Sequence, residues 1–215
     1  MMKYEFTGET KQVEFQGRTA TLHGIRAVKN FGVVKAGDLG GWIEKEENLS
    51  HKGEAWVGGN ARVGGNAYVG GNAYVGGSAR VGGSARVGDN ACVGGNAWVG
   101  GEAYVSDKAY VCDNAWVRGE AYVGDNACVG DNACVGGNAE ILSESHILTI
   151  GTIGSRNDFT TFYRDKDNQI SVSCGCFTGK IEEFLEEVTR THRDSKHAQV
   201  YRAAVEVAKL QIELN

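Results

Sequence analysis

The sequence predicts a mainly β protein: a long coil of very short strands between a small β-rich cap and a compact module of one hairpin and two helices. Three observations carry that prediction. Glycine supplies 32 of the 215 residues while proline is absent. A six-residue unit repeats without insertion from Gly53 to Gly154, and the residues on either side of it lack that unit. High glycine without proline argues against collagen, proline-rich linkers and most disordered linkers. The net charge of −5 lacks the basic face of a general nucleic-acid binder. No apolar run approaches the roughly 18 residues of a membrane span, and the opening MMKYEFTGETK has no apolar signal stretch. A soluble, cytoplasmic protein is therefore expected.

The N-terminal segment, residues 1–50, contains no hexads. Alternation in Lys3-Tyr4-Glu5-Phe6 and Gln12-Val13-Glu14-Phe15, with Gly8 and Gly17 at turns, predicts short antiparallel strands. Ile43 and Leu49 fall in phase with Ala55, so the segment leads into the array and closes its open end.

The array, residues 51–154, repeats Val-Gly-Gly-Asn-Ala-x. Its aliphatic position runs from Val57 in sixes to Val135 and on through Ile141, Ile147 and Ile153, which is 17 in succession. Alanine stands two residues earlier, fifteen times from Ala55 to Ala139. Ala-x-Val is a three-residue strand whose outer two side chains point one way and whose middle one points the other. Gly-Gly-Asn supplies residues that accept positive φ and so turns the chain. Strands this short bury little alone, so successive turns must stack.

This order of aliphatic, Gly, two variable residues, small and variable resembles the hexapeptide repeat of left-handed parallel β-helices, in which three hexads make one triangular coil of 18 residues. The resemblance implies nearly six coils with valines and alanines filling the axis. Outward residues 18 apart then form ladders. The first reads Trp56, Tyr74, Cys92, Tyr110, Cys128, His146; the second Arg62, Arg80, Trp98, Trp116, Cys134, Thr152; the third Tyr68, Arg86, Tyr104, Tyr122, Glu140. Contiguous exposed aromatics mark association surfaces. A homo-oligomer is expected, and the family implies a trimer.

The same family includes acyltransferases that use a histidine base near a subunit cleft. A rival, acyl-CoA-dependent reading therefore falls on His146 or His51; the favoured reading has no catalytic residue and no cofactor. A purely structural assembly protein is the third possibility. The cysteines suggest no disulfide framework, since Cys92 and Cys128 lie two coils apart and Cys112 and Cys134 lack a partner one coil away.

In the C-terminal segment, residues 155–215, Phe159–Arg164 and Gln169–Cys174 predict a hairpin around Asp165-Lys166-Asp167-Asn168. Ile181, Phe184, Leu185 and Val188 make the apolar stripe of one helix, and Tyr201, Ala204, Val205, Ala208 and Ile212 that of a second. Arg156, Thr160, Thr161, Tyr163 and Arg164 are the candidate ligand-binding residues, as anion-compatible donors beside aromatics. Cys174 and Cys176 with His192 and His197 are a weaker candidate zinc set of borderline spacing; packing beneath the helices is the plainer role. The Gly37-Asp38-Leu39-Gly40-Gly41-Trp42-Ile43-Glu44 segment, the hexads and Ser173-Cys174-Gly175-Cys176-Phe177-Thr178-Gly179 together resemble uncharacterised phage and prophage β-helix proteins. That resemblance implies binding of a host protein or a small anionic signal.

Overall fold

The computed structural model describes residues 2–15 and 17–214. A β-solenoid of about six turns forms the body. Its fifteen two-residue strands, β4 to β18, run from Trp56–Val57 to Glu140–Ile141 at six-residue intervals. They stack as three parallel sheets in strict register, Val63 on Val81 and Val81 on Val99, for example. Trp98 N donates to Ala115 O and Gly100 N to Val117 O, both at 2.9 Å, so each turn bonds to the next along the axis. Every valine of the repeat is fully buried.

The corners explain the glycines and the acids together. Their second residue has positive φ throughout: Gly77 at 64°, but also Asp89, Asp107, Asp113, Asp125 and Asp131 at 49–58°. Aspartate is one of the few residues with a side chain that visits this region readily. Asparagines at the next position stack, Asn96 Nδ2 donating to Asn114 Oδ1 at 3.2 Å and Asn114 to Asn132 at 3.3 Å.

Both ends depart from the sequence expectation. At the N-terminus, β1 (Tyr4–Phe15) and β2 (Arg18–Ala27) form one long hairpin. Gly8 makes a bulge within β1, with φ of 88°, and not a turn. Strand β3 (Leu39–Ile43) pairs antiparallel with β2 and parallel with the solenoid, placing Ile43 on Val63. Leu49 likewise bridges Val69. Both residues thus occupy the valine column, not the alanine column, because the link to Ala55 is two residues longer than a hexad link.

At the C-terminus the solenoid ends at Ile141. The last two hexads enter β19 (Ile147–Ile153), which pairs antiparallel with β20 (Asp158–Arg164). His146 and Thr152 consequently lie outside the ladders. Ser145 and Gly151 stand where the coil needs alanine, and Ser143 is extended (φ −149°) where a corner needs positive φ. The predicted hairpin of β20 with β21 (Ile170–Cys174) is present, within a four-stranded sheet completed by β22 (Phe177–Lys180). Helices α1 (Ile181–His192) and α2 (Lys196–Gln211) cover it with the two predicted stripes.

An aspartate in the valine column has no partner, and an unpaired buried charge costs far more than a domain's net stability. Val99→Asp is therefore expected to abolish the cooperative β unfolding transition followed by circular dichroism. Retention of that transition would contradict the axial packing.

Candidate functional site

Four of the five candidate ligand residues are buried: Thr160, Thr161, Tyr163 and Arg164 are 0–3% exposed. Strand β20 lays them across the last coil. Thr161 Oγ1 accepts from Cys134 N at 3.0 Å, and Thr160 Oγ1 donates to Cys174 Sγ at 3.3 Å. The Tyr163 ring joins the axial core, with its hydroxyl 3.1 Å from Ser173 Oγ. Arg164 pairs with Glu140. These side chains close the solenoid; only Arg156 remains exposed to meet a ligand.

Asp165 organises the same seam. Its Oδ1 accepts from Asp167 N at 3.0 Å and Gln169 N at 3.2 Å, while Oδ2 accepts from Ser171 Oγ at 2.7 Å and from Lys180. Burial pushes its carboxyl pKa up, but Lys180 and the other donors outweigh that and hold it below the ordinary value. Sequence reading saw here only a turn.

His146 is buried, and its Nδ1 accepts from Leu142 N at 3.1 Å. That leaves the proton on Nε2, which sits 3.5 Å from Arg164 Nη1. Burial and then the Arg164 charge lower its pKa, so it stays neutral. His51 stacks on Tyr4 (4.3 Å between ring centroids), accepts from Lys3 N at 3.2 Å and reaches Glu46 Oε1 at 2.7 Å. Both ring nitrogens of His51 are engaged, and the single lone pair of His146, on Nδ1, is taken by Leu142 N, which leaves neither histidine a lone pair facing a substrate. Each sits at an end of the solenoid and fastens its cap.

Lys3, missed from the sequence, is fully buried at the N-terminal end. Its Nζ donates to Ala55 O at 2.6 Å and lies 5.0 Å from the centre of the Phe31 ring. Tyr4 OH beside it donates to the carbonyls of Glu46 and Leu49, 3.0 Å from each.

The zinc set does not assemble. Cys174 donates to Tyr201 OH at 3.8 Å, Cys176 is exposed beside Arg156 (3.7 Å to Nη2), and His192 stacks on Tyr201 at 5.8 Å. Among the described residues, no group of three or more His, Cys, Asp and Glu is placed to hold a metal. The six cysteines are free thiols. Cys112 does have a neighbour, diagonal Cys128, which an 18-residue register does not reveal. Burial, with Asp113 3.0 Å away, pushes the Cys112 thiol up to about 12.

Two exposed features remain. The first is a cleft of about 160 Å³ where the C-terminal sheet meets α1 and α2, lined by Ser155, Arg156, Cys176, Phe177, His192 and Tyr201. Ser155 Oγ is 3.4 Å from His192 Nε2. Among the described residues no carboxylate pairs with Arg156. The second is the set of ladders. Trp56 is buried beneath Phe31, but Tyr68, Tyr74, Tyr104, Tyr110 and Trp116 are 40–48% exposed. Arg80 and Arg86 are also exposed, and Tyr122 tilts against Tyr104 at 5.6 Å.

The architecture defines a capped β-solenoid with a compact α-plus-β terminus, and among the described residues no helix is long and apolar enough to cross a membrane. The chain belongs to the family described as a domain of unknown function, DUF7640, which matches residues 50–177. That span covers all fifteen two-residue strands of the solenoid, β19 to β21, and the first residue of β22. No curated protein matches the chain.

Burial, with Lys29 nearby, lowers the Lys3 pKa to about 8, while Glu54 opposes the shift. Between that value and the ordinary 10.5 the unfolded chain holds the extra proton, so this group makes stability rise with pH across the window. The unfolding free energy of the wild type relative to Lys3→Met is expected to increase from pH 8 to pH 10 by roughly 2 kcal/mol. Denaturant titrations at both pH values check this, and a pH-independent difference would contradict the buried placement.

Proposed function

We propose that the chain is a non-catalytic binding protein of phage type, acting in the bacterial cytoplasm, in which the solenoid is a rigid body and the C-terminal cleft holds a small anionic, nucleotide-like ligand. The observation that carries this reading is Arg156, an exposed guanidinium at the mouth of an aromatic-walled cleft. It has no carboxylate partner among the described residues, the cleft's own Glu187 being paired with Arg190. Planar guanidinium groups bind phosphate through paired N–H donors. Ser155 and His192 add polar atoms beside it, and Phe177, Phe184 and Val188 offer an apolar wall for a base. The volume suits one ring, with charged groups left at the open side. Gly175, at φ of 60°, leaves the room that the guanidinium uses: a Cβ there would lie 2.7 Å from Arg156 Nη1. Sequestering such a ligand would withhold a host signal and so interfere with host defence.

The acyltransferase alternative draws no support from His146 or His51, whose lone pairs are taken by Leu142 N and Lys3 N.

Thermal unfolding with a panel of nucleotides tests the reading. A ligand at a hundred times its dissociation constant adds about 2.7 kcal/mol. At least one nucleotide is expected to raise the midpoint of the wild type and not that of Arg156→Ala, whose unliganded midpoint should be unchanged. Absence of any shift, or an equal shift in both proteins, would contradict the cleft as the site.

A further inference from the structure

The second ladder has an order that the other two lack. On one sheet, β5, β8, β11 and β14 stack in direct register and present Arg62, Arg80, Trp98 and Trp116, with β3 adding Trp42 beside Arg62, its ring covered by Lys11 Nζ at 3.8 Å. Two cations are followed by two indoles along roughly 14 Å of a flat face. Trp98 and Trp116 meet edge to face at 4.8 Å between centroids, and Trp116 remains 48% exposed. Turning this ladder over about a two-fold axis between β8 and β11 brings Arg80 opposite Trp98 and Arg62 opposite Trp116. We infer that this face pairs with the same face of a second copy, with the solenoid axes antiparallel, through four reciprocal arginine–indole contacts.

Charge along the solenoid points the same way. The corners following Arg62 and Arg80 are Gly64-Gly65-Asn66 and Gly82-Gly83-Ser84, without charge. Those following Trp98 and Trp116 are Gly100-Gly101-Glu102 and Arg118-Gly119-Glu120. An antiparallel pair therefore sets Arg80 against the Trp98 rung flanked by Glu102, and Arg62 against the Trp116 rung, whose corner carries Arg118 and Glu120 and so no net charge. A parallel pair, or a trimer with parallel axes meeting through this face, sets arginine against arginine. Cation–π contacts strengthen once both partners lose water, which is the condition of such an interface. Four rungs make a short contact, so the dimer is expected to be weak and concentration-dependent.

Both residue types already occupy this outward position on the same sheet, so exchanging them leaves the fold intact. Analytical ultracentrifugation over low micromolar to millimolar concentration is expected to give twice the 23.0 kDa chain mass. Trp98→Arg opposes two arginine pairs and should weaken the dimer about ten-fold or more. The double variant Arg80→Trp/Trp98→Arg places Arg opposite Trp once more about the same axis and should restore the affinity. A monomer or a trimer across the range would overturn the inference. So would a double variant as weak as Trp98→Arg alone.

Discussion

Parallel stacking at a repeat of 18 residues is the constraint on which the rest of this protein depends. Each turn contributes three valines and three alanines to the axis, and no turn buries them alone; the turn above and the turn below do so. Because β-strands repeat every two residues, Ala-x-Val buries both outer side chains and leaves exactly one residue per side facing out. Register thus fixes the core and the outward ladders by the same arithmetic. It also demands a corner residue with positive φ every six positions, which glycine or aspartate supplies.

A column of this kind has two open ends, and much of the polar chemistry of the chain closes them. Tyr4 and Tyr163 both belong to the axial core cluster, one from each cap. Lys3 donates to the first coil's carbonyls, while Thr161 accepts from a last-coil amide and the Ala139–Asp165 bridge continues the ladder. Buried polar groups are tolerated where their hydrogen bonds are made, and a strand edge with unmet donors is where they are needed. Residues that look like a ligand cluster in the sequence serve as the seam between solenoid and terminal sheet.

The solenoid was legible because its period is unbroken over fifteen strands, and the α1 and α2 stripes because helical spacing was clean. The ends were harder to read. Ile147 and Ile153 keep the six-residue spacing after the coil has stopped, and the telling signal was the end of the alanine column at Ala139. Ile43 and Leu49 misled by two residues because a longer link follows them. The burial of Thr160, Thr161, Tyr163 and Arg164 was not legible: alternation in a strand does not say that both of its faces will be covered. The cleft beside Arg156 depends on α1 and α2 folding back over the sheet, a tertiary fact without a local signature.

The central claim is that the C-terminal sheet, whatever its outer cleft holds, is a structural cap sharing one cooperative unit with the solenoid, and not an independently folding lobe. Native-state hydrogen exchange tests it most directly, since amides opening in one unit share one free energy. The Trp116 and Cys134 amides, which bond to Ala133 and to Thr161, are expected to exchange at the same free energy as the mid-solenoid Trp98 amide. Exchange of the Cys134 amide at a much lower free energy, with Trp98 still protected, would contradict the account.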